Sequence, residues 1–319
     1  MTRVLLIVVL AGLGFTAASA QDYPTRPVRI VFPLAAGGGG DVYTRALADE
    51  LQKAWHQPVV VENRPGGGQN IGARACAEAT PDGYTICVMS SEPAVYNQFM
   101  YKTIPYNPEK DFQPITNLFF NTLSVVVNPE LKVKTLAELI ALAKKEPGKL
   151  SYATFAFPAQ VFMDKLNKAE GIDIVRVPYK GGGEVVNALL GGNTPVAVLA
   201  LSNMIAQLQS GRITPLAVVA NGRSPLFPDV PTLDEARPGA AFRTTWFGLF
   251  TQTGVPRPIV EKIAHDADRI MAEPSFRKRI YTDRGVEPAM ERLDEFARFV
   301  AEERKIAEQI VKDSGVQPR

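Results

Sequence analysis

The run of four glycines near the start of the chain is the feature best suited to chemistry. Residues 33–41 read Pro-Leu-Ala-Ala-Gly-Gly-Gly-Gly-Asp, after an apolar run over 28–32 and before an amphipathic one over 42–55. This order predicts a strand, a loop and a helix, with Asp41 as the helix N-cap. Because glycine has no Cβ atom, the N–H groups of the loop can approach a ligand, and the helix dipole favours an anion there. We expect a carboxylate or a phosphate to bind at Ala35, Ala36, Gly37, Gly38, Gly39, Gly40 and Asp41.

Nucleotide-binding loops between a strand and a helix need a particular glycine spacing, which this chain lacks. In the G-x-G-x-x-G pattern the sixth residue would be Val42 if counted from Gly37, and Tyr43 if counted from Gly38. No Lys-Ser or Lys-Thr pair follows the loop, as the G-x-x-x-x-G-K-S/T pattern requires. A nucleotide site is therefore disfavoured. The remaining alternative is a glycine turn that only lets the first helix pack on the sheet.

The same strand, loop and helix pattern repeats directly after the first helix. Strands are predicted over 59–62 and 84–89, with a second glycine loop over 64–68 and a helix over 70–79 between them. Near-continuous apolar strands between amphipathic helices indicate a parallel sheet covered on both faces. Open α/β sheets bind ligands beyond the carboxyl ends of their strands, so Ser90 and Ser91 join the candidate site.

A second α/β series follows two extended stretches, 115–120 and 123–127, which we interpret as crossovers between domains. Its predicted helices cover 135–146, with Thr135 as cap, 159–169, 184–190 and 203–209, and its strands cover 150–153, 174–177, 196–199 and 216–220. A returning strand over 245–250 leads to a helical tail over 256–271, 274–282 and 293–311. The prediction is two doubly wound α/β domains, one of residues 21–122 with 236–319 and one of 123–235.

The first 20 residues have the pattern of a cleaved secretory signal. Arg3 precedes an apolar stretch, and Ala18-Ser19-Ala20 forms the A-x-A pattern at which signal peptidase cuts. The apolar stretch is shorter than the about 20 residues that a membrane-spanning helix needs. We expect cleavage before Gln21 and a soluble exported protein, periplasmic in a Gram-negative host.

The net charge of the chain and the positions of its histidines argue against a nucleic-acid partner and a bound metal. The chain has 35 Lys and Arg against 33 Asp and Glu, a formal net charge of +2, which favours no nucleic-acid partner. His56 and His265 stand outside any ligand-spaced cluster, so we expect neither a metal nor a cofactor. The two cysteines, Cys76 and Cys87, fall in a predicted helix and the strand after it. Export favours a disulfide between them, and two buried thiols that never meet are the alternative.

Several sequence blocks together resemble the substrate-binding proteins of tripartite tricarboxylate transporters, also called Bug receptors. They are Tyr23-Pro24, Arg26-Pro27, Val59-Val60-Val61-Glu62-Asn63-Arg64-Pro65-Gly66, Asn70-Ile71-Gly72, Pro81-Asp82-Gly83-Tyr84-Thr85, Val177-Pro178-Tyr179-Lys180-Gly181-Gly182 and Trp246-Phe247-Gly248. The resemblance implies a periplasmic-binding-protein fold of the Venus flytrap type, acting as a monomer without catalysis. It implies that a small organic acid is captured between the domains and passed to membrane transporter subunits.

The resemblance also implies where the ligand carboxylate is held. It would be met by the loop 35–41 and by a loop of the second domain, with help from backbone donors of Tyr179, Lys180, Gly181, Gly182 and Gly183. The second-domain loop departs from the family pattern of small polar residues, because here it contains Thr154, Phe155, Ala156 and Phe157.

Loss of polar groups in that loop would suit a less polar ligand, such as an aromatic or monocarboxylic acid, better than citrate. Leu199-Ala200 likewise replaces a polar pair that is common in the family. The alternative is that Phe155 and Phe157 both pack beneath the loop.

Two other functions stay open at the level of sequence. The receptor could present its ligand to the ectodomain of a sensor kinase instead of a transporter. A secreted α/β enzyme is a weaker alternative, because Ser90-Ser91 lacks a G-x-S-x-G elbow. Lys180 is interpreted as a solvated or ligand-facing lysine and not as a Schiff-base lysine.

Overall fold

The computed structural model describes residues 23–220, 222–240, 242–289 and 291–318. The predicted leader lies outside these residues. The strands are β1 Val28–Phe32, β2 Val59–Asn63, β3 Thr85–Ser90, β4 Phe112–Asn121, β5 Leu123–Val127, β6 Leu150–Ala153, β7 Ile174–Val177, β8 Val196–Ala200, β9 Thr214–Val219, β10 Trp246–Gln252 and β11 Val286–Pro288. The helices are α1 Gly39–Trp55, α2 Asn70–Ala77, α3 Asn97–Met100, α4 Leu136–Lys145, α5 Phe157–Glu170, α6 Gly182–Leu190, α7 Ile205–Gln209, α8 Leu233–Ala236, α9 Arg257–Ala272, α10 Pro274–Phe276 and α11 Asp294–Ser314.

The first domain is built on a six-stranded sheet in the order β11-β4-β10-β3-β1-β2. Strands β2, β1 and β3 are parallel, whereas β10 and β4 run antiparallel to their neighbours. Side chains alternate between the faces of a strand, so Ile30 packs with α1 and α9 on one face and Val31 packs with α2 and α11 on the other. Helices on both faces explain why β1 and β3 read as continuous apolar runs.

The second domain is built on a five-stranded sheet in the order β7-β6-β8-β5-β9. Strands β7, β6 and β8 are parallel, and β5 is antiparallel to both β8 and β9. Helices α4 and α5 pack with Val125 on one face, and α6 and α7 pack with Val126 on the other. The predicted two-domain α/β fold is therefore confirmed, with mixed rather than purely parallel sheets.

The chain passes between the two sheets twice. Thr122 alone separates β4 of the first sheet from β5 of the second, and the segment between α8 and β10 returns to the first sheet. These connections bring the carboxyl ends of β1 and β8 to one cleft, where the N–H of Gly39 donates to Asn203 Oδ1. The residue limits predicted for the domains remain a prediction.

The local sequence patterns predicted some helices and strands correctly and others incorrectly or not at all. Thr135 accepts a hydrogen bond from the N–H of Glu138, whose side chain returns to the Thr135 N–H, so the predicted cap is a full capping box, typically worth about 1 kcal/mol. The predicted helix over 274–282 is instead the short α10 followed by a π-helical turn, Arg277–Tyr281. Strand β11 was not predicted, because three residues carry too little periodicity.

A disulfide joins α2 to β3. Cys76 and Cys87 are bonded, with their Cα atoms 6.1 Å apart, and both residues are buried. The bond links a helix to the strand that follows it, so it closes a short loop. Among the residues that the structure describes, no helix is long and apolar enough to cross a membrane.

Candidate functional site

The glycine loop between β1 and α1 is held by Asp41. Gly37 has a φ of 88°, a left-handed conformation that favours glycine. The N-cap of α1 is Gly38, so the prediction that Asp41 is the N-cap was wrong. Asp41 lies in the first turn, where its Oδ2 accepts the Gly37 N–H at 3.0 Å and its Oδ1 accepts an N–H of Asn63 at 2.8 Å.

Asp41 stays ionised although its side chain is buried. Burial by itself would raise the pKa of the carboxyl, but the N–H of Gly37, the amide of Asn63 and the guanidinium of Arg45 together lower it. Arg45 Nε lies 3.1 Å from Asp41 Oδ2. The carboxylate therefore fixes the shape of the loop.

Segments of the second domain lie directly against the start of α1. Asn203 Oδ1 accepts the N–H of Gly39 at 2.8 Å, and the carbonyl of Lys180 accepts the N–H of Ala35 at 3.5 Å. A Cβ atom on Gly39 would overlap Ser202 Oγ, and one on Gly182 would overlap Asn203 Oδ1. The glycines thus permit close approach of the two domains at an N-terminus that favours oxygen acceptors.

A small first cavity lies where these segments meet. Its volume is about 20 Å³, room for about one water molecule. The lining is mostly apolar and consists of Phe32, Leu34, Ala35, Gly38, Gly40, Asp41, Asn121, Leu123, Thr154, Phe155, Ala156, Gly182, Val198, Leu199, Ala200, Asn203, Thr245 and Phe247. The two domains are therefore almost closed on one another at this point.

A larger second cavity of about 230 Å³ adjoins the first. Leu34 and Phe155 line both cavities. The other residues that line it are Pro33, Gly66, Gly67, Gly68, Gln69, Glu92, Asn97, Met100, Tyr101, Phe157, Gln160, Arg176, Pro178, Tyr179 and Lys180. Both domains contribute to it, so it is part of the same cleft.

The structure brings most of the predicted site residues to this cleft. Those that line a cavity are Ala35, Gly38, Gly40, Asp41, Thr154, Phe155, Ala156, Phe157, Tyr179, Lys180 and Gly182. Gly39 and Gly181 lie in the contacting loops, and Gly183 faces the backbone of Ala36 and Gly37.

The two serines after β3 occupy a different position from the predicted one. Ser90 and Ser91 are buried and line neither of the two cavities. Ser90 Oγ instead lies 2.6 Å from Glu92 Oε2 and 2.7 Å from Gln69 Oε1. These serines support Glu92, which does face the second cavity.

The two phenylalanines of the second-domain loop behave differently from each other. Phe157 is fully buried and packs beside Tyr96 of the first domain, with ring centroids 5.6 Å apart. Phe155 is partly buried and forms a wall of both cavities. Both rings therefore line the second cavity, and only Phe155 also borders the first.

Sequence reasoning missed several polar residues of the cleft, among them Asn203, Glu92 and Arg176. Asn203 follows the carboxyl end of β8, so the rule that singled out the other loops could have included it. Glu92 accepts the N–H of Phe157 at 3.3 Å at the start of α5, and burial raises the pKa of Glu92 in spite of its hydrogen-bond donors. Glu92 lies two residues after the carboxyl end of β3 and Arg176 one residue before that of β7, so the same rule could have included both.

Comparisons with known proteins agree on one family. The model of the tripartite tricarboxylate transporter family receptor matches residues 43–316. BugT of Bordetella pertussis is 32% identical over 322 residues, which cover 99% of this chain and 98% of BugT.

Solved structures of related proteins have the same fold. The periplasmic binding protein BugD has a TM-score of 0.87 at 30% identity, covering 93% of this chain and 100% of BugD. An R. palustris protein solved with adipate has a TM-score of 0.88 at 28% identity, with the same coverage. The chain belongs to the tripartite tricarboxylate transporter receptor family, whose members are periplasmic solute-binding proteins.

Proposed function

We propose that this protein captures a small organic carboxylate between its two domains in the periplasm and delivers it to a tripartite tricarboxylate-type membrane transporter. The observation that supports this proposal is the N-terminal end of α1 in the cleft, where Asn203 Oδ1 accepts the Gly39 N–H at 2.8 Å. A carboxylate oxygen could take the same position, with the helix dipole favouring its negative charge. The adipate in the R. palustris relative is consistent with an acid as ligand.

The ligand is proposed to have an apolar body. Next to the end of α1, the walls of the first cavity include Phe32, Leu123, Phe155, Val198 and Phe247. Polar groups of a ligand such as citrate would lose water at these walls without gaining partners, which costs free energy. An aromatic or aliphatic acid would instead bury carbon against carbon.

Binding without chemical transformation is part of the proposal. His56 lies at the far end of α1 from the glycine loop, and His265 is exposed on α9. The Ser90 hydroxyl contacts Glu92 and Gln69 inside the first domain. These placements offer no pair of nucleophile and imidazole base in the cleft.

A thermal-shift screen of the purified mature protein tests ligand capture. The panel contains mono-, di- and tricarboxylates, aromatic acids and amino acids, each with its methyl ester as the uncharged control. A ligand at 100 times its Kd adds about 2.7 kcal/mol of stability, which should raise the Tm by a few degrees. An acid that stabilises while its ester does not supports the proposal, and no shift with any acid contradicts it.

Delivery to a transporter is tested separately in cells. Deletion of the gene should abolish uptake of the radiolabelled acid found in the screen, and a plasmid copy should restore it. Unchanged uptake with loss of an acid-induced transcriptional response would instead favour a sensor kinase as the partner.

A further inference from the structure

Arg176 is an unpaired cation in the cleft. It lies next to the carboxyl end of β7, in register with Tyr152 of the parallel strand β6. Its side chain is partly buried, and its Nε is fully enclosed without a hydrogen-bond partner. Among the described residues it forms no ion pair, although a buried guanidinium N–H left unsatisfied is costly. Arg176 is only partly buried and lines the second cavity, so a group from outside the chain can reach the part of its side chain that is not enclosed.

The second cavity, which Arg176 lines, has an excess of unpaired positive charge. Lys180 also lines it and also forms no ion pair in the described part of the chain. The one carboxylate of this cavity, Glu92, already accepts hydrogen bonds from the Ser90 hydroxyl, the Gln69 amide and the Phe157 N–H. Glu92 therefore does not neutralise Arg176, and the cavity favours an anion.

The two cavities are neighbours in the cleft between α1 and Arg176. Leu34 and Phe155 border both of them, so the boundary between the cavities is apolar. The loop after β7 connects the ends, because the Lys180 carbonyl accepts the N–H of Ala35 at the start of the glycine loop. A ligand that extended from one cavity into the other past Leu34 and Phe155 would have polar ends and an apolar middle.

We propose that Arg176 is a specificity residue that binds a second anionic group of the ligand, at the opposite end from the carboxylate at α1. The ligand class is then an acid with two anionic ends joined by an apolar section. This inference rests on the proposed function, since it assumes that the first carboxylate binds at the glycine loop. The planar guanidinium can donate two parallel hydrogen bonds to a carboxylate, sulfonate or phosphonate.

Matched pairs of acids test the role of Arg176 by calorimetry. Adipate is compared with monomethyl adipate, and terephthalate with monomethyl terephthalate, because each pair differs in one terminal charge. The wild-type protein should bind at least one dianion roughly ten- to hundredfold more tightly than its monoester, the range expected for a charge-assisted hydrogen bond. In Arg176→Met the affinities for the dianion and for its monoester should differ by no more than about twofold. The affinity for the monoester should equal that of the wild type.

Lys168→Met is the matched control, because Lys168 is an exposed cation at the far end of α5 from the cleft. It should keep the wild-type preference. Arg176→Gln serves as a second variant if Arg176→Met unfolds at a lower temperature without ligand. A wild-type protein that does not prefer either dianion, or a preference that survives both Arg176 variants, would overturn the inference. If the inference about Arg176 is overturned but an acid still binds in the thermal-shift screen, the proposed function stands. If no acid binds, both the inference and the proposed function are refuted.

Discussion

At the scale of single residues, the glycines between β1 and α1 have different tasks. Gly37 adopts a backbone conformation that other residues rarely reach, whereas Gly39 has ordinary helical geometry and lies against Ser202 of the other domain. Asp41 stabilises the loop by accepting the Gly37 N–H. The loop therefore depends on glycine for its shape at one position and for interdomain contact at another.

Replacing Gly39 by Val should weaken ligand binding by at least about tenfold, because the added Cβ would overlap Ser202 Oγ and keep the domains apart. The measurement is calorimetric titration with the acid found in the screen. Gly222→Val is the control, because its Cβ would have no atom within 4 Å. Wild-type affinity in Gly39→Val would mean that the ligand binds away from the start of α1.

Glu92 should make stability depend on pH. Burial raises the pKa of this carboxyl above its ordinary value of 4.5, so the folded state favours the protonated form. The stabilisation is complete below about pH 4.5 and is lost as pH rises through the folded-state pKa. We expect the free energy of unfolding of the wild type, relative to Glu92→Gln, to decrease as pH rises above about 4.5.

Urea unfolding of both proteins at a series of pH values measures this difference. The other ionisable groups are the same in both proteins. Subtracting the two unfolding free energies at each pH therefore leaves the contribution of Glu92. A difference that stays constant over the whole range would show that the carboxyl has its ordinary pKa.

At the scale of elements, the disulfide ties the short helix α2 to the central strand β3. The eight residues of α2 are too few for a stable isolated helix, so its position depends on packing and on this bond. Titration of unfolded, unreduced protein should find no free thiol, since the chain has only two cysteines. Two titratable thiols would contradict the bond.

Removal of the bond should reduce stability. The double variant Cys76→Ala, Cys87→Ala should lose about 2–4 kcal/mol of unfolding free energy, the typical contribution of a disulfide. Urea unfolding of the wild type with and without a reducing agent is the control, because reduction should produce most of the same loss. Equal stability with and without reductant would contradict this contribution.

At the scale of the whole molecule, Tyr23, the third residue after the predicted cleavage point, belongs to the core of the first domain. Tyr23 is buried, and its hydroxyl donates to the carbonyl of Gly83 at 2.6 Å. A mature chain that starts at Gln21 would therefore retain this contact with the first domain. We predict that intact-mass analysis of periplasmic extract gives the mass of residues 21–319. A product that retains residues 1–20 or remains in the membrane fraction would refute cleavage at this site.

The sequence by itself determined most of the elements and indicated the edge of the sheet at which the site is proposed. Strand β1, strands β5 to β7, the glycine loop and the Thr135 cap all follow from residues within one turn or one strand, because such signals are local. The repeated order of strand and helix also indicated two α/β units, since each strand must bury both faces.

Only the tertiary structure decided which polar groups meet in the cleft and how the strands pair. Gly39 and Asn203 are 164 residues apart, and Glu92 and Phe157 are 65 apart. Strand β10 inserts antiparallel between β3 and β4 after the whole second domain has intervened. Such contacts depend on how distant segments pack, and no local pattern of residues encodes a partner that far along the chain.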